Sequence, residues 1–435
     1  MARDNFRRQR NSSVSDLRPD SHQLSLLKNQ LKEMLDAGAF DHTIAAFWYY
    51  LALSEVLLGI LKELEFQLDR QRRFDLAEQV DELKAALLRL EIQATGDFTT
   101  RLNRLFTKVV QDIRETTKSG ERTSPDRLTN IVFRGGIGEI RKLINRFGAR
   151  FEHLVLLFDN IDKGWASDGV DELDVKLVRL LLEALEKVRR DLDVDKHDFI
   201  YTIFLRNDVY ELMVSATPDR GKAAAVRIDW TDKVKLKQVI HMRLQASIGG
   251  KPENFDELWS RYFVDKVDGQ DTFDFFLDHC LMRPRFLIGI IEMAIANAIG
   301  RRHQLVGEDD CIDAATQHAN SILNDFAYEI RDVSHVSENV LNSLSGTTEY
   351  ITKPEVLDRF ERANIVKADG ADKLFDYMLW YGVIGVVNEN NVECFIYDFD
   401  YNLNRLKAEI SLQKDEPLYA FNPALHVALK SKKAA

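Results

Sequence analysis

The stretch Leu154 to Trp165, LVLLFDNIDKGW, restricts the fold more than any other part of this 435-residue chain. A short continuous apolar run that stops abruptly at acids suits a strand buried on both faces of a parallel sheet. The pattern then repeats. A long helix is expected over about 171–190, followed by a second buried run, DFIYTIFLRND, that also ends in charge. A short helix ELMVSA, a turn TPDRGK and a third run AVRIDW complete a β–α–β–α–β series. Such alternation with short turns marks an α/β sheet with crossover helices.

Helices dominate the rest. NSSVSDLRPDS reads as a short strand broken at Pro19, and Ser21 can cap a helix to about Asp36 with Leu24, Leu27, Leu31 and Leu35 at helical spacing. Further helices are expected at Thr43–Phe66, about Arg73–Glu91 and about Phe98–Glu115. Thr43 to Leu61 is long enough to span a bilayer, but Glu55 near its middle would cost ~2.5 kcal/mol or more there. A buried core helix is the expectation, with no membrane partner. After Asp232 the chain turns helical to about Asp332; PEVLDRFERAN and ADKLFDYMLWYG then read as two helices, and VIGVVNENNVECFIYDF as two strands around an Asn-rich turn. LYAFNPALHVALK adds a strand and a last helix. Helix–helix–hairpin of this size suggests a winged helix-turn-helix. The expected organisation is an α/β core over 1–232 with a helical insertion at about 40–130, a helical domain over 233–334 and a winged-helix domain over 335–435.

Acids at the carboxyl end of a parallel strand face the crevice where open α/β sheets bind ligands. Asp159 there can hold Mg²⁺ directly or through water, because a hard cation takes oxygen ligands, and Asp162 can orient or deprotonate an attacking water. The bland alternative is a strand end followed by an Asx turn. Arg206 and Asn207 fall at the next strand tip, where a cation or amide can sense a phosphate. Arg220, in DRGK, can stabilise transition-state charge in a neighbouring subunit or be a solvated turn. Arg283 and Arg285 begin the apolar helix RPRFLIGIIEMAIANAI as phosphate sensors or solvent-facing arginines.

In this order, FDNIDKGW, IFLRNDVYELM, DRGK, RIDW, RPRFLI and a winged helix, the chain resembles bacterial P-loop ATPases of the AAA+/STAND type over most of its length. The resemblance implies a P-loop NTPase parallel-sheet core, a helical lid and a C-terminal winged helix, with ATP and Mg²⁺ as cofactors and a homo-oligomer or protein partner. It also implies that Asp159 and Asp162 match Walker B, Arg206 matches the sensor 1 arginine, Arg220 falls near the arginine finger, and Arg283 or Arg285 falls near sensor 2. Intact relatives of this kind use ATP to switch state.

The phosphate loop, G-x-x-x-x-G-K-[ST], whose backbone N–H groups and Lys cradle phosphates, is missing. Gly-Lys occurs only at Gly221-Lys222 and Gly250-Lys251, each without the earlier glycine and the following Ser or Thr, and FRGGIGEI (Phe133–Ile140) is expected as a turn. Two explanations stand. In one, the sequence is shortened at its N-terminus and MARDNFRRQR is the tail of the phosphate-loop helix. In the other, the ATPase is degenerate. Either way, weak ATP binding and negligible hydrolysis are expected of these residues.

Other chemistries find less support. Lys+Arg number 59 against Asp+Glu 70, a net charge of −11, and a nucleic-acid coat needs a basic face. The recognition-helix candidate carries Lys373 against Asp372 and Asp376, and the wing NENNVE has no Arg or Lys, whereas phosphate contact needs cations. DNA binding is therefore possible but not favoured, and a non-enzymatic winged-helix regulator of DNA or protein is the alternative function. Cys280, Cys311 and Cys394 form no CxxC pair, which points to a reducing cytoplasm rather than a disulfide framework or zinc ribbon. His197 and His241, in charged contexts, are expected at the surface or as caps. No G-x-S-x-G elbow supports serine-hydrolase chemistry.

Overall fold

In the computed structural model the described residues are 11–18, 37–92, 95–118, 125–133, 136–161, 172–215, 225–249, 251–334, 336, 339–365, 368–413 and 416–431. The helix expected from Ser21 to Asp36, Asp162 and the DRGK turn with Arg220 lie outside them. The chain forms two compact units, Met1–Ala223 and Ala224–Ala435, and its fold is mixed α/β, mostly helical, with a small parallel sheet.

The first unit is built on three parallel strands in the order β1 (Ser12–Leu17), β2 (His153–Phe158), β3 (Phe199–Ile203). Register pairs Ser13, Ser15 and Leu17 with Leu154, Leu156 and Phe158, which pair in turn with Phe199, Tyr201 and Ile203. Successive side chains point to opposite faces. Leu154, Leu156 and Phe158 join the large core, while Val155 and Leu157 pack with Val14 in a separate cluster on the other face. That is why LVLLF carries no polar alternation.

Helix α1 (Ala37–Arg70) covers the sheet within the segment expected as an insertion. From Thr43 to Leu61 it is apolar nearly all round, as a helix segment enclosed on every side must be, and its charged last turns reach the surface. Among the described residues it is the one helix long and apolar enough to cross a membrane, and 94% of that apolar window is buried inside the protein. Gly59 permits its close approach to β1: a Cβ there would stand 2.5 Å from the Ser15 hydroxyl and 3.0 Å from that of Ser13. Small residues on both elements thus set the spacing. Around α1 pack α2 (Ala77–Arg89), α4 (Pro125–Phe133), α5 (Ile137–Gly148) and α6 (Glu172–Val194), while α3 (Phe98–Lys118) packs on α4. The glycine-rich run expected as a turn leads directly into α5, with Gly136 at its N-cap and Gly138 inside it. A final short helix α7 (Asn207–Ser215) follows β3.

Two expectations are corrected. Residues 225–230, AVRIDW, form no strand, and Val226 and Ile228 are 91% and 72% exposed. Alternating apolar residues favour extended chain, but a strand exists only where a neighbour completes its ladder. His197 is buried rather than at the surface, with Nε2 2.9 Å from the Asn145 side-chain oxygen.

The second unit begins with helices α8 (Lys233–Ile248), α9 (Phe255–Ser260), α10 (Thr272–Asp278), α11 (Pro284–Arg301) and α12 (Glu308–Ser334), with a two-residue hairpin of β4 (Lys266–Val267) and β5 (Gln270–Asp271). Asp232, Asn254 and Asp271 cap α8, α9 and α10 by accepting backbone N–H bonds. Beyond them come β6 (Tyr350–Thr352), α13 (Lys353–Arg362), α14 (Ala368–Trp380), β7 (Ile384–Val387), β8 (Glu393–Cys394), α15 (Leu403–Leu412), β9 (Leu418–Phe421) and α16 (His426–Leu429). The strands form an antiparallel sheet in the order β6-β9-β7-β8. The segment expected as a winged helix shares a unit with the helical segment because α12 packs against α14 and α16.

Candidate functional site

The carboxyl ends of the three parallel strands lie level with one another. The Asp159 N–H donates to the Leu17 carbonyl at 3.0 Å, and the Phe204 N–H donates to the Phe158 carbonyl at 2.8 Å. Beyond Asp159 the chain turns sharply at Asn160, whose φ of 63° lies in the left-handed region that Asn tolerates, and Ile161 is buried. The turn leaves the Asp159 side chain 38% exposed at the strand tip.

Arg206 and Asn207 follow β3 at the start of α7, beside the tip that carries Asp159. The Asn207 side-chain nitrogen is buried and has no hydrogen-bond partner. An unsatisfied buried donor costs about 1–3 kcal/mol and marks a place that an acceptor would stabilise.

Sequence reasoning missed Arg18, directly after β1. Its guanidinium bonds the Asp16 carboxylate at 3.0 Å and stands 3.7 Å from that of Asp159. The Asp16 hydrogen bond, with the charges of Asp16 and Asp159, reinforces the positive charge of Arg18. The available signal was the cation ending the strand SSVSDL, which becomes informative once β1 is set in parallel register with β2. Asp159, Arg206, Asn207 and Arg18 therefore share one end of the sheet, mixing a carboxylate with two cations and an unpaired amide.

The two remaining arginines belong to the second unit and are engaged there. Arg283 makes a bidentate pair with Glu329 at 2.8 and 3.1 Å, and its guanidinium lies 4.6 Å from the Phe326 ring centre. Arg285 bonds Asp325 at 3.1 Å with its side chain 73% exposed. Beside Arg285, both ring nitrogens of buried His318 lack a hydrogen-bond partner.

One face of the helix expected to enter a DNA groove is used in packing, and the acids of its other face are paired with lysines. Leu374, Phe375, Tyr377, Met378 and Leu379 of α14 are buried, Asp376 is bonded to Lys407 at 2.6 Å, and Asp372 is paired with Lys353 at 2.5 Å. In the expected wing, Asn388 closes the turn by accepting the N–H groups of Asn390 and Val392 at 2.9 and 3.0 Å.

A magnesium ion takes one or two carboxylates and completes its shell with water and phosphate oxygens. Asp159 fits that part, although no cluster of three or more metal-ligating side chains occurs among the described residues. For ATP, the sequence has no G-x-x-x-x-G-K-[ST] motif to cradle the phosphates, so the fit is incomplete.

Comparison with known proteins gives two findings. Residues 234–327 match the FunZ-associated C-terminal helical domain, a span covering α8 through most of α12 and including Arg283 and Arg285. The chain is also similar to the putative transposon gamma-delta 80.3 kDa protein of Escherichia coli (strain K12), with 21% identity over 367 residues, 82% of this chain and 48% of that protein. It thus spans about half the length of the curated relative it matches. No solved structure matches the chain.

Proposed function

We propose that this chain is the switch core of a cytoplasmic ATPase of the AAA+/STAND type that carries no phosphate-loop motif in these 435 residues and is weak or inactive in hydrolysis. The observation that carries the reading is the strand-tip constellation: Asp159 after β2, flanked by Arg206 and Asn207 after β3 and by Arg18 after β1. A carboxylate at the middle tip suits a phosphate-bound Mg²⁺, and the flanking cations with the unpaired Asn207 amide suit phosphate oxygens. Asp162 and Arg220 keep their assigned roles on sequence order alone, as water-orienting acid and arginine finger. Arg283 and Arg285 would sense nucleotide only after exchanging their Glu329 and Asp325 partners, so that partner exchange is the switch event assigned to them. The output is a protein partner or a second copy, since the open face of α14 carries Asp372 and Asp376, and phosphate contact needs cations. The mobile-element relative suggests a setting in mobile-element biology.

Nucleotide binding tests the reading. The 435-residue chain is expected to bind MgATP weakly and to hydrolyse it negligibly. That weak binding is expected to depend on magnesium and to be lost in Asp159→Ala. Absence of any magnesium-dependent nucleotide binding, or robust turnover by the 435 residues, overturns the proposal.

A further inference from the structure

Away from the strand tips, the first unit contains a second site. Helices α2 and α3 flank α1 and leave between them a cleft of about 960 Å³. Its floor is Tyr50, Leu51, Ser54, Glu55 and Leu58 of α1. This volume lies at the upper end of the ~300–1,000 Å³ typical of small-molecule sites.

The apolar part of the lining is chiefly aliphatic, supplied by leucines of α1, α2 and α3 with Ile92, and it sits among polar and charged side chains such as Asn103, Thr107 and Gln111; Tyr50 is the one aromatic ring among the described lining residues. Leu88 is 80% exposed although it sits on a cleft wall.

The charges around this apolar surface are almost all matched. Arg101 is bonded to Glu55, Lys84 is paired with Glu65, and Lys108 with Glu91. Arg104, on the α3 wall, is exposed and has no partner among the described residues. One uncompensated cation beside an aliphatic trough fits a ligand with one anionic group and an alkyl body.

Among the described residues of α2 and α3, Leu88 is the one large apolar side chain that is exposed, and it sits at the cleft. A protein partner would need roughly 800 Å² of surface on each side. A small molecule is the better match.

We infer that the cleft between α2 and α3 binds a free single-chain amphiphile with an anionic head, such as a long-chain carboxylate, seating the head on Arg104 and the alkyl chain over Leu88 and Leu58. The site is separate from the strand tips and does not depend on nucleotide.

Titration calorimetry of the full chain with dodecanoate, kept below its micelle concentration, tests this. One-to-one saturable binding is expected, with dodecanol weaker and dodecyltrimethylammonium weaker still. Arg104→Ala should weaken dodecanoate about tenfold, as loss of one charge-assisted contact does. Leu88→Glu, which sets a like charge at the cleft, should weaken it at least as much. Both positions are exposed, and unchanged circular dichroism will separate loss of binding from loss of fold. The inference is overturned by no saturable binding up to about 1 mM, by equal affinity for the three head groups, or by wild-type affinity in both variants. Binding only to anionic lipid vesicles, with none to the monomer, overturns it as well.

Discussion

Glu55 and Arg101 meet inside the first unit with the guanidinium Nε and Nη2 at 2.6 and 2.7 Å from the two carboxylate oxygens, both side chains buried. The third guanidinium nitrogen donates to the Gly96 carbonyl at 2.8 Å. Removing one partner strands a buried charge, so Glu55→Ala or Arg101→Ala should each cost about 3–5 kcal/mol. Replacing both with leucine should come far closer to wild type, because the desolvation of two ions vanishes with their attraction. Urea unfolding of the single and double variants measures the difference, and equal losses in all three would refute the account.

Gly385 in β7 is a second sensitive point. A Cβ there would stand 2.5 Å from the Cys394 carbonyl oxygen of β8 and 2.7 Å from the Phe395 ring. A backbone oxygen in a ladder cannot swing aside, so Gly385→Ala should destabilise the second unit by about 2–3 kcal/mol, the upper range of overpacking. Gly138 has open space where its Cβ would be. Gly138→Ala should therefore be neutral or stabilising in the same unfolding assay.

Burial lowers the pKa of His197, His279 and His318 below the ordinary 6.5. Between the folded values and 6.5, the unfolded chain holds more protons than the folded one, so stability rises with pH across that window. Acidification from about pH 7.5 to about pH 5.5 should lower the urea midpoint, and His197→Gln with His318→Gln should flatten the slope. Asp278 and Asp398, raised by burial, act with opposite sign above the ordinary carboxylate range, which is why the histidine variants are needed as the comparison.

Cysteine reactivity offers a separate check. Burial pushes the thiols of Cys280 and Cys311 up to about 12, and both side chains are enclosed, whereas Cys394 is partly exposed on β8. Thiolate is the nucleophile. A disulfide-exchange reagent should modify Cys394 in the native protein, and the other two only after unfolding. Rapid native modification of Cys280 would contradict the packing around α10 and α11.

The strand β2 was legible because LVLLF has no polar residue to place on either face, and the acid after it was legible because a strand must end somewhere. Glu55 was legible as an anomaly in an apolar helix. Its partner was not, since Arg101 lies 46 residues away and only tertiary packing chooses it. Arg18 escaped notice for the same reason: it matters only once β1 is in register with β2. The run AVRIDW misled because its alternation describes a strand's side chains and says nothing of a hydrogen-bonding neighbour. His197 misled because the acids around it in DVDKHD mask an imidazole that turns inward toward Asn145.

Helix α1 carries a consequence for how the protein is made. Its covering helix α6 begins at Glu172, about a hundred residues after α1 ends at Arg70. At ~5–20 residues per second, the ribosome takes roughly 5–20 s to deliver that cover. Throughout this interval a nascent chain presents a helix greasy enough to be mistaken for a membrane segment, and in its first part Glu55 has yet to meet Arg101. Early synthesis is therefore when the chain most needs a chaperone, and truncations ending before α6 should aggregate rather than fold.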